Sequence, residues 1–218
     1  MVSMIVPVDT PQGQARFFVD LADRPISILV LGHGAGGGVR AADLELLARR
    51  LPPLGITVAR FEQPWRTAGR KVGAPPPRLD EAWIAALGWL QEQEWAQQPL
   101  VAGGRSAGAR VACRTASDTN AAAILCLAFP LHIPGQPEKS RLMELLTPGQ
   151  PRLVVQGSKD SFGTAEELRA AIGKVAGITL VELQGVGHSY RIAKSSAVEP
   201  ATLHATLITE VSRFIAST

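Results

Sequence analysis

The sequence has few charged residues, few aromatic residues and no long apolar run. Charged residues make up 19% of the 218 positions, aromatic residues 5% and hydrophobic residues 46%. Such low charge with so much apolar content excludes an intrinsically disordered chain. No run of 18 apolar residues occurs, so no transmembrane helix is predicted. The first residues, MVSMIVPVDT, lack a basic segment before a long apolar stretch, so we predict no secretory signal and expect a cytoplasmic protein.

Cysteine is also scarce, and the charges nearly balance. Cys113 and Cys126 are too few for a disulfide framework or a metal cluster, so we expect two buried thiols in a reducing compartment and neither metal nor cofactor. Lys and Arg number 22 against 19 Asp and Glu. The net charge of +3 produces only a weak electrostatic field around a chain of 218 residues. The cations of Arg66–Arg78 are interrupted by glycine and proline and are predicted to lie in a solvated loop. No nucleic-acid partner is expected.

Short apolar runs alternate with helical patterns along the chain. The first run, Ala15–Leu21, is short and is a candidate edge strand. The other runs are continuously apolar, Ile56–Phe61 less purely, which predicts strands buried on both faces of a parallel sheet. Together the runs cover Ala15–Leu21, Ile26–Leu31, Ile56–Phe61, Leu100–Ala102, Ala122–Phe129, Leu153–Gln156 and Ile178–Leu183. Helices are predicted over Val39–Leu51, Leu79–Trp95, Ser106–Ala116, Arg141–Leu146, Ala165–Val175 and Pro200–Ile215. This alternation predicts a three-layer, mostly parallel open α/β sheet with helices on both faces.

Residues 1–218 are expected to form a single domain, since no repeat or low-complexity linker divides the chain. The one long irregular stretch is Pro130–Pro151, which is too short for a separate lid domain. A site without a lid is expected to be open and to select its substrates only weakly.

A serine, an aspartate and a histidine each follow a different predicted strand. Ligands bind beyond the carboxyl ends of the strands in such sheets, so these residues are expected at one edge. Gly104-Arg105-Ser106-Ala107-Gly108 fits the G-x-S-x-G pattern between a strand and a helix. The glycines remove bulk where strand and helix approach, and the helix N-terminus favours a developing anion. The pattern predicts Ser106 as a nucleophile, although a serine that only caps the helix is the alternative.

A serine nucleophile needs a base, and the base needs an acidic partner. Of four histidines, His188 follows the last strand in a glycine-rich turn and is the predicted base, whereas His33 is expected to shape its loop. Asp160 follows the preceding strand and is the predicted partner. The chain order Ser106, Asp160, His188 is the order of α/β-hydrolases and differs from those of chymotrypsin and subtilisin.

The remaining candidates would bind the substrate. The backbone N–H of Ala107 is the predicted first oxyanion donor, and Ala35 or Gly36 in the glycine-rich loop is the predicted second. Four aromatic residues in or beside the edge loops are candidates for the substrate pocket: Trp65, Phe129, Phe162 and Tyr190. Arg105 and Arg66 are candidates to meet an acidic substrate.

Six segments together resemble the α/β-hydrolases, in particular the small dienelactone-hydrolase-like kind without a lid. They are HGAGGG, RFEQPW, GGRSAGAR, FPLHIPG, QGSKDSFGT and GVGHSY, spread over residues 33–190. The resemblance implies Ser106, Asp160 and His188 as a catalytic triad acting on small-molecule ester, thioester or lactone substrates. Ser106 stands where dienelactone hydrolases carry a cysteine, so their own substrate is not implied.

Two alternatives remain. Animal members of the resembled subgroup include chromatin-complex subunits without a clear catalytic role, so a non-catalytic interaction protein is one of them. The other is a dinucleotide-binding protein, because Gly32-x-Gly34-x-x-Gly37 follows a strand and Glu62 ends the next one. That assignment leaves Ser106, Asp160 and His188 unexplained.

Overall fold

The structure is a computed structural model that describes residues 4–190 and 199–218. Eight strands form one sheet, with spatial order β1-β2-β4-β3-β5-β6-β7-β8. The strands are β1 (Met4–Thr10), β2 (Gly13–Asp20), β3 (Ser27–Gly32), β4 (Ile56–Glu62), β5 (Leu100–Arg105), β6 (Ala123–Leu127), β7 (Arg152–Gly157) and β8 (Ile178–Leu183). From β4 to β8 the neighbours are parallel, whereas β1 and β2 are antiparallel to their neighbours. The predicted mostly parallel sheet is confirmed.

Strand β1 was not predicted from the sequence. Only Val8 of its seven residues is buried, although Met4, Ile5 and Val6 are apolar as well. Pro7 also argues against a strand inside a sheet, but a proline is tolerated on an edge strand, where its missing N–H breaks no ladder. The strand forms that edge through a tight turn into β2, which pairs Thr10 with Gly13.

In the described part of the chain, seven helices accompany the sheet. They are α1 (Ala42–Arg50), α2 (Pro64–Thr67), α3 (Pro76–Gln91), α4 (Ala107–Arg114), α5 (Leu142–Leu146), α6 (Ala165–Ile172) and α7 (Pro200–Ala216). The sequence did not predict α2, which is a single turn. Helix α3 starts three residues before its predicted start, because Pro76 supplies a φ angle suited to the first turn of a helix.

The apolar core lies in two layers, one on each side of the sheet. One layer contains buried residues of α3, α4, α5 and α6, including Trp83, whose ring meets Phe61 edge-on at 5.6 Å between centroids. The other contains buried residues of α1 and α7, including Leu47 and Leu207. Strands β3, β5, β6 and β7 are buried on both faces, which explains their continuously apolar sequences. The three-layer α/β architecture is confirmed.

The segment between β6 and β7 adds no separate lid in the described part of the chain. Its short helix α5 packs against α4, and Glu144 accepts two hydrogen bonds from Arg110, at 2.7 and 2.6 Å. Within residues 4–190 and 199–218, no helix is both long and apolar enough to cross a bilayer.

Candidate active site

Ser106 lies in a strained turn between β5 and α4. Its φ is 53° and its ψ is −109°, a conformation that costs energy for a residue with a side chain. Helix α4 begins at the next residue, Ala107. The turn needs glycine on both sides, because a Cβ at Gly104 would lie 2.6 Å from the Gly32 carbonyl oxygen and a Cβ at Gly108 would clash with the same group. The close approach of β3, β5 and α4 thus explains the two glycines around Ser106.

The structure brings Ser106, His188 and Asp160 together in one hydrogen-bonded chain. The Ser106 Oγ and the His188 Nε2 are 2.9 Å apart. The His188 Nδ1 lies 3.0 and 2.9 Å from the two carboxylate oxygens of Asp160. These residues follow β5, β7 and β8, and the parallel arrangement of those strands brings the three side chains to the same edge of the sheet. An Asp160 acceptor holds the proton on Nδ1, which leaves Nε2 free to accept the serine proton.

Asp160 is buried, and its oxygens are fully engaged. Only 1% of the residue is exposed. Oδ1 accepts the backbone N–H of Phe162 at 2.8 Å, and Oδ2 accepts the Nε2–H of Gln156 at 3.0 Å. Gln156 also donates to the carbonyls of Phe129 and Gly163. Its one side-chain amide therefore links β7, the loop that carries Asp160 and the segment that follows β6. Sequence reasoning missed Gln156, whose one visible signal was a polar residue ending an apolar strand.

The glycine-rich loop after β3 is fixed by His33. Its Nε2 accepts the backbone N–H of Gln63 at 3.3 Å, so Nδ1 carries the proton that it donates to the Gly34 carbonyl at 2.9 Å. Burial lowers the pKa of His33, which favours this neutral tautomer. His33 therefore shapes its loop. Ala35 of that loop lines the same cavity as Ala107, the residue after Ser106. Gly36 follows Ala35, and a Cβ added to it would meet no residue other than its chain neighbours within 4 Å.

A cavity of about 260 Å³ opens beside the start of α4. Its apolar wall includes Trp65, Leu79, Trp83 and Val111. The aromatic candidates divide into two groups. Trp65 lines this cavity, and the ring of Phe162 packs against the His188 imidazole with 4.2 Å between centroids.

Phe129 and Tyr190 do not line the cavity beside α4. Phe129 is fully buried in the core layer of α3 and α4. The Tyr190 hydroxyl donates to the Val155 carbonyl at 2.6 Å and accepts from the Ala128 N–H at 3.1 Å, which fixes it between β6 and β7. Burial raises the pKa of this phenol well above its usual value. Both residues follow strands closely, and a sequence does not show which way such side chains turn.

Arg105 also turns away from the cavity next to Ser106. Its Nε lies 3.0 Å from the Asp43 carboxylate of α1, and a terminal nitrogen donates to the His188 carbonyl. The two side chains are 12% and 4% exposed. Sequence reasoning missed Asp43 because its chain position, in the first turn of a helix, looks like ordinary helix capping. Within the described residues, no group of three or more His, Cys, Asp or Glu side chains could hold a metal ion.

The sheet order, the strained serine turn and the chain order of the three linked residues define the α/β-hydrolase class. A family model described as an alpha/beta hydrolase domain matches residues 25–216. The chain therefore belongs to this family, which confirms the resemblance seen in its motifs.

Solved structures share this fold over nearly the whole chain. An α/β serine hydrolase without a lid from Xanthomonas campestris has 23% identity and a TM-score of 0.74, covering 97% of this chain and 94% of its own. An α/β serine hydrolase homologue from Coxiella burnetii has 21% identity and a TM-score of 0.73, with coverages of 97% and 98%. A dienelactone hydrolase from Anabaena variabilis has 16% identity and a TM-score of 0.76, with coverages of 99% and 97%. At these identities the similarity establishes the fold.

Proposed function

We propose that this protein is a serine hydrolase that cleaves small carboxylic esters, thioesters or lactones through an acyl-enzyme. The observation that carries the proposal is the unbroken chain from the Ser106 Oγ through His188 to the buried Asp160, with every link between 2.9 and 3.0 Å. A nucleophile, a base and a group that orients the base within hydrogen-bonding distance are the parts that acyl transfer requires.

In the first step the Ser106 Oγ bonds to the substrate carbonyl carbon while its proton moves to the His188 Nε2. Asp160 stabilises the resulting imidazolium and holds its orientation. The backbone N–H groups of Ala107 and of Ala35 or Gly36 bind the oxygen on which negative charge develops. Such donors act strongly because they are already oriented before the reaction begins.

The intermediate then collapses. His188 gives its proton to the leaving oxygen or sulfur, the alcohol or thiol departs, and the acyl group remains on Ser106. Water attacks the acyl carbon with His188 again as the base, and the acid and the free serine are released. A lactone follows the same route, except that its leaving alcohol stays attached to the acyl group.

The cavity supports a small substrate. A volume of about 260 Å³ lies below the usual ~300–1,000 Å³ of drug-sized pockets, and its wall is mostly apolar. We place a short acyl group there, against Trp65 and Leu79. The proposal treats residues 1–218 as one hydrolase domain, and the two free thiols at Cys113 and Cys126 support a cytoplasmic location.

Dinucleotide binding is disfavoured by the glycine-rich loop itself. A dinucleotide fingerprint leads directly into a helix whose N-terminus holds the pyrophosphate. Here α1 begins only at Ala42, and its first turn carries the carboxylate of Glu45, which would repel phosphate. Glu62 is engaged by Thr67 at 3.1 Å and by Arg16 at 3.7 Å.

A fluorophosphonate probe and p-nitrophenyl acetate or butyrate test the proposal. We expect the wild type to be labelled and to hydrolyse the ester, and Ser106→Ala to lose both while its melting temperature is kept. Ser117→Ala, which changes an exposed serine, is the matched control and should behave as the wild type. A folded wild type that neither reacts with the probe nor hydrolyses any ester would favour the non-catalytic interaction protein. Tight NADH binding without labelling would favour the dinucleotide alternative.

A further inference from the structure

Arg105 links three segments of the chain that meet at Ser106. Its own backbone continues into Ser106, and its guanidinium contacts Asp43 at the start of α1 and the backbone carbonyl of His188. The guanidinium also lies beside the glycine-rich loop, since a Cβ at Gly34 would be 3.9 Å from a terminal nitrogen of Arg105. One buried side chain therefore touches the segments that carry the nucleophile, the base and the loop of the second oxyanion donor.

These contacts close a small ring around the reacting atoms. The His188 imidazole binds the Ser106 Oγ at 2.9 Å, and the His188 carbonyl accepts a hydrogen bond from Arg105, which is joined to Ser106 by a peptide bond. The loop that carries His188 contains Gly185 and Gly187, so its sequence restrains it little. The Arg105 contact supplies a restraint close to the imidazole, on the same residue.

The pair of Arg105 and Asp43 is costly to bury, so folding stability alone explains it poorly. Burying two charges costs several kcal/mol per ion, which only good geometry recovers. The Arg105 Nε and the Asp43 Oδ2 are 3.0 Å apart, yet burial raises the pKa of the Asp43 carboxyl even though the charge of Arg105 acts to lower it. Such a pair is more easily explained by what it holds in place than by the free energy of folding that it contributes.

We propose that Arg105, held by Asp43, is a positioning residue that sets the distance between His188 and Ser106. The inference rests on the hydrolase function proposed above and adds a residue that touches neither the substrate nor the reacting atoms. Arginine suits this task because its planar fork serves a carboxylate and a carbonyl at once, whereas a lysine ammonium is a single flexible point charge.

Steady-state kinetics with p-nitrophenyl acetate, combined with thermal unfolding, test the inference. We expect Arg105→Ala to lower kcat by about 10²-fold with little change in KM, because a misplacement of roughly 1 Å costs that much. Added guanidinium should restore part of the kcat of Arg105→Ala. Arg105→Lys should lie between Arg105→Ala and the wild type, and it provides a second variant if the alanine variant does not fold.

Arg152→Ala is the matched control. Arg152 is also buried and binds backbone carbonyls, those of Leu145, Leu146 and Pro148, but at the opposite edge of the sheet. Its loss should lower the melting temperature and leave kcat unchanged at temperatures where the variant is folded. Equal kcat losses in the two alanine variants would overturn this inference and leave the proposed function standing. A folded Arg105 variant with the kcat of the wild type would do the same. A wild type without esterase activity or probe labelling would overturn the proposed function as well.

Discussion

The two edges of the parallel strands use buried polar groups in different ways. At the amino-terminal edge, Arg152 begins β7 and donates to the last carbonyls of α5, which have no partner within their helix. At the carboxyl edge, Arg105 ends β5 and joins a carboxylate to the carbonyl of His188. The first arginine completes a helix end, whereas the second connects the start of α1 to the loop that carries His188.

The same contrast holds for backbone strain. Among residues 4–190 and 199–218, four non-glycine residues have positive φ, and three of them, Ser106, Ala128 and Tyr190, follow strands at the carboxyl edge. Such residues cost free energy and persist where the surrounding contacts hold them. The difference teaches that this protein concentrates its unfavourable local geometry at the edge where the candidate site lies, since only Asn120, which precedes β6, departs from it within the described residues. The predictions that follow test whether that division is real.

The largest effect is expected for Asp160→Asn. An asparagine keeps the shape but donates to the imidazole, which favours the wrong tautomer of His188, so kcat should fall by about 10⁴-fold with the fold retained. The control is Asp20→Asn, which changes a buried aspartate that pairs with Arg60 at 3.1 Å. This control should lose stability and keep its kcat. Ester hydrolysis and circular dichroism melts measure both, and equal kcat in the two variants would contradict the assignment.

A second prediction compares two glycines in helices. Gly108→Ala places a methyl group against the Gly32 backbone and should destabilise the fold by about 1–3 kcal/mol, with loss of activity as β3, β5 and α4 separate. Gly88→Ala, on the exposed side of α3 with nothing near its added Cβ, should instead stabilise by ~0.5–1 kcal/mol. Denaturant unfolding measures the difference, and a neutral Gly108→Ala would show that the close approach is not needed.

A third prediction concerns alkaline pH and Tyr190, the one tyrosine of the sequence. Burial raises the pKa of its phenol above the usual 10.0. The folded form therefore keeps its proton at a pH where the unfolded form loses it. Stability is complete below the unfolded pKa and should fall above it by up to about 1.4 kcal/mol for each pH unit.

Ultraviolet absorbance of tyrosinate follows this single group, and unfolding measured at rising pH follows stability. Tyr190→Phe should remove that pH dependence while losing the hydrogen bond to Val155. A tyrosinate signal that appears in the folded protein at the ordinary pH would contradict the burial of this hydroxyl.

The smallest effect is expected at a helix cap on the same edge as the site. Thr164 and Glu167 form a capping box that starts α6, in which each side chain accepts the backbone N–H of the other residue. Thr164→Ala should cost about 1 kcal/mol of folding free energy and leave kcat unchanged. Thr164→Ser retains the hydroxyl and serves as control. A large loss of kcat in the alanine variant would contradict this prediction. It would show that a residue at this edge affects catalysis without contacting Ser106, Asp160 or His188.

The elements that sequence reasoning predicted well are those with local causes. The strand Ile178–Leu183 and the capped start of α6 at Ala165 agree with the structure residue for residue, because apolar runs and capping boxes are local signals. Strand β1 was missed because an edge strand buries little and its Pro7 contradicts the local rule. The side-chain orientations of Phe129, Tyr190 and Arg105 could not be predicted from the sequence. They depend on which distant residues the folded sheet places beside them.

The sequence by itself determined the fold class and the order Ser106, Asp160, His188, since strand ends, glycines and chain order are properties of the chain. Only the tertiary structure decided that these residues form one hydrogen-bonded chain, and that Arg105 faces Asp43 and His188 rather than the cavity. The physical reason is distance along the chain. Ser106 and His188 lie 82 residues apart, and only the pairing of parallel strands brings such residues to one edge.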